Sequence, residues 1–476
     1  MSDRANWVGP AILLVGAVTL ARVVALWFNR TDLFVDESQY WLWGQRLDFG
    51  YYSKPPLIAW VIRAVTELAG SDAPFWVRLP GAMFHGATAL ILGTLAARLY
   101  APRAAFWVAV SYATLPMVAL GSILISTDTI MAPFFAAALL FYFRAAETRR
   151  SGFAALAGAA IGAAFLAKYA AVYFLLGAVL AALIVPVMRL SVRAWFALVA
   201  AFGLVILPNI LWNLSNDLTT VSHTMDNVGW VRGGSWLAGL NPAGLAEFFF
   251  SQFAVMGPVL FGAFLWACVR PGGHMGRALV CLSLPVLMIV CTQALLERAY
   301  ANWGVATYFA GTILAVGLLY QRAPKLLAAS VVINAVVSVL LPLLAIMAPV
   351  PESKGKPLLA RYLGRHDLSQ QILDEAQRLG VPGVVATERD ILADFYYVGR
   401  DAGIAIYAPP PKGRPDNYYE QNFPLPPGHG PVMLVGRSAP DCAGKPVGKL
   451  DTKGGAYHGR KLSVWLLPEG CSDNAR

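Results

Sequence analysis

Val35-Asp36-Glu37-Ser38-Gln39-Tyr40-Trp41, with Tyr51-Tyr52-Ser53-Lys54-Pro55-Pro56 close behind it, reads as a short acidic-aromatic loop just outside long apolar segments. Two adjacent carboxylates and a lysine are costly beside hydrocarbon unless they are paired or used. The aromatic rings around them suit the face of a sugar or the belt of a membrane interface. The stretch therefore points to chemistry at a bilayer surface rather than to a simple anchor.

Outward from this loop, the chain has membrane composition. It is 57% hydrophobic and 13% charged, with a mean hydropathy of +0.57. An apolar run of about 20 residues crosses the hydrocarbon core as a helix, and about eleven such stretches precede residue 349. They lie near 8–28, 76–97, 104–121, 129–143, 153–167, 170–187, 194–212, 244–269, 278–295, 303–320 and 326–348, several of them short. Few residues precede the first stretch and no small-residue cleavage site follows it, so it reads as an anchor that stays.

Charge patterning supplies an orientation. With the N-terminus cytoplasmic, the inner connections carry Arg98, Arg103, Arg144, Arg149, Arg150, Arg189, Arg193, Arg270, Arg277, Arg322 and Lys325. The opposite connections hold nearly all the acids: Asp36, Glu37, Asp48, Asp72, Asp128, Asp217, Asp226 and Glu297. Lys and Arg in short loops stay inside, so the C-terminal region is expected outside. Topogenic arginine facing anionic lipid accounts for much of the +10 net charge. No basic patch with interleaved aromatics occurs in a soluble segment, which argues against nucleic acid as a partner.

The chain is expected to divide into a membrane catalytic domain, 1–349, with the acidic motif in an outer loop at 29–75, and a small α/β domain, 350–476. In the latter, Leu368 to Leu379 has helical periodicity with Ile372, Ala376 and Leu379 on one face. Val384–Thr387, Ile404–Tyr407, Val432–Val435 and Leu462–Leu466 read as strands between Gly- and Pro-rich loops. Leu57 to Ala69 reads as an amphipathic helix suited to the interface. A medium outer loop is expected at about 213–243. Cys268, Cys281 and Cys291 fall in apolar helices as small core residues. Cys442 and Cys471 are the two in the outer domain, where an oxidising compartment favours a disulfide, and their spacing matches no zinc signature. The chain has no nucleotide-cradling glycine loop, no Ser-His-Asp order and no internal repeat.

Several residues can carry chemistry at the outer surface. Asp36 or Glu37 can take or orient the proton of an attacking hydroxyl, against the simpler reading of a solvated helix cap. Lys54, stiffened by two prolines, can neutralise a phosphate leaving group or else snorkel to headgroups. Asp128 in Ser126-Thr127-Asp128 is either a cap residue of its helix or a second acid of the site. Lys168-Tyr169 breaches the topogenic pattern by placing positive charge outside, which argues for a second phosphate contact. Arg298 adds a bidentate fork for phosphate, and Asn213, Tyr300, Asn302 and Trp303 complete the rim with Trp212. His223 reads as a satisfied loop histidine rather than a metal ligand.

At these residues the chain resembles the GT-C glycosyltransferases that use polyprenyl-phosphate-linked sugars. Nearest is the bacterial branch with the lipid A aminoarabinose transferase and the galacturonosyl transferases of the lipopolysaccharide core; protein O-mannosyltransferases are more distant. The resemblance rests on Asp36 to Trp41, Tyr52-Ser53-Lys54-Pro55-Pro56-Leu57, Arg78-Leu79-Pro80, Thr127-Asp128, Ala167-Lys168-Tyr169, Pro208 to Asn213, Gly257-Pro258 and Ala301-Asn302-Trp303. Tyr396-Tyr397 and Asn417-Tyr418-Tyr419 extend it weakly into the outer domain.

The resemblance implies a multi-pass enzyme of the bacterial inner membrane. Its donor is a sugar on undecaprenyl or a similar polyprenyl phosphate, and its acceptor a lipid or glycan of the envelope such as lipid A. Transfer occurs on the periplasmic face with inversion. Asp36, Glu37 and Asp128 are then the candidate acids, and Lys54, Lys168 and Arg298 the donor-phosphate contacts. Tyr51, Tyr52, Arg78, Tyr169, Asn213, Tyr300, Asn302 and Trp303 are the candidate substrate contacts, with membrane lipids as further partners. Ser53 stands where the aminoarabinose enzymes have an acid, which argues against the same amino-sugar and the same metal coordination. No cofactor is implied with certainty, and a divalent cation stays open. Protein O-glycosylation and lipid or sugar transport are the alternatives. Against transport, the charges gather on one face rather than at the midplane, and no paired halves appear.

Overall fold

In the computed structural model, residues 7–229, 240–353 and 355–471 are described. Part of the outer loop expected at 213–243 lies outside the described residues. The chain divides into two compact units. The first comprises Met1–Trp27, Asp48–Val61 and Arg78–Leu343; the second comprises Phe28–Leu47, Ile62–Val77 and Leu344–Arg476. The second unit thus takes in two segments that a boundary drawn at 349 leaves with the membrane part. Their bonds explain why. Asp32 Oδ2 accepts from the Arg365 amide at 2.8 Å, and the Tyr397 hydroxyl donates to the Asp72 carbonyl at 2.6 Å. Partners more than 300 positions away leave no trace in local composition.

Each of the eleven apolar stretches overlies helix in the first unit. Among the described residues, six helices are long and apolar enough to cross a bilayer: Val8–Trp27, Pro74–Leu99, Thr127–Thr148, Val192–Ser215, His274–Leu296 and Pro324–Ile346. The pair Pro242–Val255 and Pro258–Val269 is bent by 113°, as a broken span or a re-entrant loop is. The chain is therefore a multi-pass membrane protein. Ser151–Ala167 and Tyr169–Ile184 are apolar but short. The 113° bend has a local cause: Gly257 has φ of +89°, and a Cβ there would lie 2.0 Å from Asn334 Oδ1. Only glycine fits such a position.

Three helices of this unit, Thr127–Thr148, Ser151–Ala167 and Val192–Ser215, pack side by side. The middle one is built for close approach. Cβ atoms at Gly158 and Gly162 would lie 2.0 Å from the Leu198 carbonyl oxygen and 2.8 Å from Val205 Cβ, the small-residue spacing that lets membrane helices touch. Arg149 in the left-handed region (φ 57°) reverses the chain between the first two helices. The start of one helix and the end of the next are thereby at the same level, which fixes where Asp128 and Lys168 fall.

The second unit holds a five-stranded mixed sheet in the order Ala405–Tyr407, Gly383–Ala386, Val432–Gly436, Ser463–Leu467, Gly448–Lys449. The first two pairings are parallel and the others antiparallel. Gly383–Ala386 and Val432–Gly436 are buried along their whole length, as central strands covered on both faces are. Four of these strands match the sequence expectation to within about a residue, and Arg365–Leu379 contains the expected helix. The helix Arg389–Val398 and the edge strand Gly448–Lys449 were not expected. A Cys442–Cys471 disulfide closes the last loop, with Cys471 in the core beside Leu425 and Leu434.

Candidate active site

In the first unit, Lys168 Nζ donates to both oxygens of Asp128, at 2.7 and 2.8 Å. Asn302 Nδ2 donates to Asp128 Oδ2 at 3.1 Å. The two charged side chains are only 17% and 12% exposed. Lys168 is the extended residue between the Ser151–Ala167 helix and the 3-10 turn Tyr169–Val172. Asp128 lies in the first turn of its helix but is not the cap: Ser126 accepts from the Thr129 amide. Its carboxylate is thus left for the lysine. The 3-10 turn Ala301–Gly304 carries Asn302, and buried Gln252 seats that turn. Gln252 Nε2 donates to the Ala301 carbonyl at 3.3 Å, and the Tyr308 hydroxyl donates to Gln252 Oε1 at 2.5 Å.

A second polar chain fixes the segment around Lys54. Asn213 Nδ2 donates to the Tyr169 hydroxyl, which donates to Asn209 Oδ1; Asn209 Nδ2 in turn donates to the Phe49 carbonyl. The Thr220 hydroxyl holds the Tyr51 carbonyl at 2.6 Å, and the Tyr51 amide donates to the Lys54 carbonyl. Tyr52 packs on the His223 ring at 5.1 Å. Gly50 lies flat under Trp212, whose ring a Cβ would meet at 2.3 Å. Lys54 is half-buried, and Arg78 is 1% exposed. Arg298 is exposed, its guanidinium 5.2 Å from the Tyr300 ring, and that ring packs on Trp303.

Asp36 and Glu37 belong to the second unit and occupy the first turn of a helix, Val35–Gly44, where a loop was expected. Acids there complement the helix N-terminus. Glu37 is 2% exposed and accepts from the Phe34 amide at 2.8 Å, closing its own helix start. Asp36 points elsewhere: Arg389 Nη2 donates to its Oδ1 at 2.6 Å, and Arg389 Nε donates to Gln39 Oε1 at 3.0 Å. Further along, Asp394 is held by Arg365 at 2.8 Å and by the Tyr457 hydroxyl. Burial raises the Asp394 carboxyl to about 7, with Arg365 and Tyr457 pulling the other way. A cavity of about 380 Å³ nearby is lined by Asp32, Ser38, Arg365, Asp394, Tyr397 and Arg400. Its charges are engaged within the unit, Arg365 by Asp394 and Arg400 by Asp401 and the Tyr397 carbonyl.

The expected residues therefore gather in groups: Asp128 with Lys168 and Asn302, Asn213 with Tyr169, and Arg298 with Tyr300 and Trp303. Asn209, Gln252, Tyr308 and Arg389 were missed. Gln252 and Asn209 left a signal, a polar side chain in an apolar run; Arg389 left none. Among the described residues no group of three or more His, Cys, Asp or Glu side chains is arranged to hold a metal ion.

A helical membrane unit joined to an α/β unit, with acids and lysines at helix ends, defines a class that comparison makes specific. Residues 53–212 match the family described as dolichyl-phosphate-mannose-protein mannosyltransferase. The chain belongs to the GT-C glycosyltransferases that draw their sugar from a polyprenyl-phosphate carrier. Over 469 residues it is 44% identical to the lipid A galacturonosyltransferase RgtD of Rhizobium johnstonii, covering 97% of this chain and 98% of that protein. Its fold is similar to ArnT from Cupriavidus metallidurans. The apo structure has a TM-score of 0.63 at 15% identity, and the structure bound to undecaprenyl phosphate has 0.65 at 16%; each likeness covers 96% of this chain and 97% of the other.

Proposed function

We propose that this enzyme transfers a sugar, with galacturonic acid the first candidate, from a polyprenyl phosphate to lipid A on the periplasmic face of a bacterial inner membrane. The observation that carries this reading is the 44% identity to a lipid A galacturonosyltransferase along nearly the whole chain. The N-terminus is then cytoplasmic and the C-terminal domain periplasmic, in keeping with the arginine distribution.

The residues have roles that follow from their surroundings. The bond between the anomeric carbon and the phosphate oxygen breaks, and the polyprenyl phosphate leaves with the electron pair. Lys54 and Lys168 stabilise that developing charge. An ammonium has three donors; Lys168 directs two to Asp128, which orients it and leaves a third for phosphate. Asp36 receives the proton of an acceptor hydroxyl as that oxygen bonds to the opposite face of the sugar. Were the acceptor a phosphate, already ionised, Asp36 would act by charge alone. Glu37 caps the helix that presents Asp36, and Arg298 with Tyr300 and Trp303 contacts substrate at the rim.

The test is transfer of label from polyprenyl-phosphate galacturonic acid to lipid A in membranes, comparing wild type with Asp36→Asn and Lys54→Ala. Loss of transfer in both folded variants is expected. Wild-type transfer from another polyprenyl-linked sugar only would overturn the galacturonic acid assignment. Undiminished transfer in both variants would remove these residues from the mechanism.

A further inference from the structure

We propose that Arg389 is a positioning residue for Asp36, so that the C-terminal part of the chain supplies a component of the catalytic machinery. This inference rests on the role given to Asp36 above. The two residues are 353 positions apart, yet both lie in the first turns of helices, Val35–Gly44 and Arg389–Val398, that pack on each other. The guanidinium bridges two residues of one helix face: Nη2 reaches Asp36 Oδ1 at 2.6 Å and Nε reaches Gln39 Oε1 at 3.0 Å. Gln39 is 2% exposed, so it anchors the fork in the core.

The arrangement holds one carboxylate oxygen and presents the other. Among the described residues Asp36 Oδ2 makes no hydrogen bond, and the Asp36 side chain is 46% exposed. A proton acceptor whose rotamer is set from behind and whose second oxygen is open meets the geometric demand of general-base work. Stability does not explain the pair. Half-exposed ion pairs contribute about 0–1 kcal/mol, and the helix start is anchored by the neighbours of Arg389. Glu388 and Asp390 both bind Arg460 at 2.6 Å, and Arg437 holds Glu388 at 2.8 Å. With the flanking acids taken by Arg460 and Arg437, Arg389 is left for Asp36.

The experiment measures steady-state transfer by full-length Arg389→Gln, Arg389→Lys, Asp36→Asn and the Arg389→Gln/Asp36→Asn double variant in lipid nanodiscs. Misplacement of a reacting group costs about 10- to 100-fold, so Arg389→Gln should lose that much kcat with donor KM within about 2-fold and an unshifted Tm. A lysine keeps the point charge and gives up the fork, so Arg389→Lys should recover part of the loss. The double variant should be no slower than Asp36→Asn, as for groups acting as a unit. A folded Arg389→Gln enzyme with wild-type kcat beside an inactive Asp36→Asn enzyme would overturn the inference alone. Additive losses in the double variant would also overturn it. An active Asp36→Asn enzyme would overturn both this inference and the role of Asp36.

Discussion

Two carboxylate–cation pairs, one in each unit of the chain, differ in their access to water. Lys168 and Asp128 are 17% and 12% exposed, among apolar helices, with Asn302 filling another lone pair. Arg389 and Asp36 are 42% and 46% exposed, and among the described residues one oxygen of Asp36 accepts no hydrogen bond. Burial makes a pair rigid and makes either partner dangerous to remove, because an uncompensated charge is left behind. Exposure makes a pair nearly neutral for stability and leaves its carboxylate open to a substrate. The first is suited to hold an ammonium in place for a phosphate, the second to exchange a proton.

Removing one buried charge should have the largest effect. Asp128→Asn or Lys168→Ala should each destabilise by about 3–5 kcal/mol and abolish transfer, whereas Asp128→Asn/Lys168→Met should regain much of the stability and none of the activity. Thermal unfolding beside transfer assays checks this, and a double variant as unstable as either single one would contradict it. Asp36→Asn should reduce transfer by about 10²-fold or more with almost no change in Tm. If its Tm falls as far as that of Asp128→Asn, the two pairs do not differ in their contribution to stability.

Gln252→Leu leaves the Tyr308 hydroxyl and the Ala301 carbonyl unmet, each a loss of about 1–3 kcal/mol at most. It should lower kcat by displacing Asn302, while leaving the second unit's stability unchanged, as read by hydrogen exchange in each unit. The smallest effect concerns pH. The Asp394 carboxyl is raised from 3.8 to about 7, so between those values the folded state holds a proton that the unfolded state has lost. Its contribution to stability is complete below about 4 and disappears as pH rises through about 7. Amides of Arg365–Leu379 and Arg389–Val398 should exchange faster at pH 8 than at pH 5.5 after correction for intrinsic rates, and Asp394→Asn should flatten that difference.

The chain's periodicities and charges determined much of this architecture without help. Long apolar runs must become helices in a bilayer, where every backbone group needs an internal partner. Strands such as Val432–Gly436 announced themselves by β-branched residues between Gly and Pro. The candidate acids and lysines stood out because charge beside hydrocarbon is conspicuous. The second helix was missed because Val35–Gly44 is only ten residues long and mixes polar with aromatic side chains.

Which charge meets which depends on the packing of the whole chain. Asp128 takes Lys168 because a tight helical hairpin returns the chain to its starting level. Asp36 takes Arg389 through a helix that lies 353 residues downstream and is otherwise ordinary in composition. Local sequence carries hydrophobic period and turn chemistry, both effects of neighbours along the chain. A partner brought in by packing depends on the path of the whole backbone, and no window of sequence contains it.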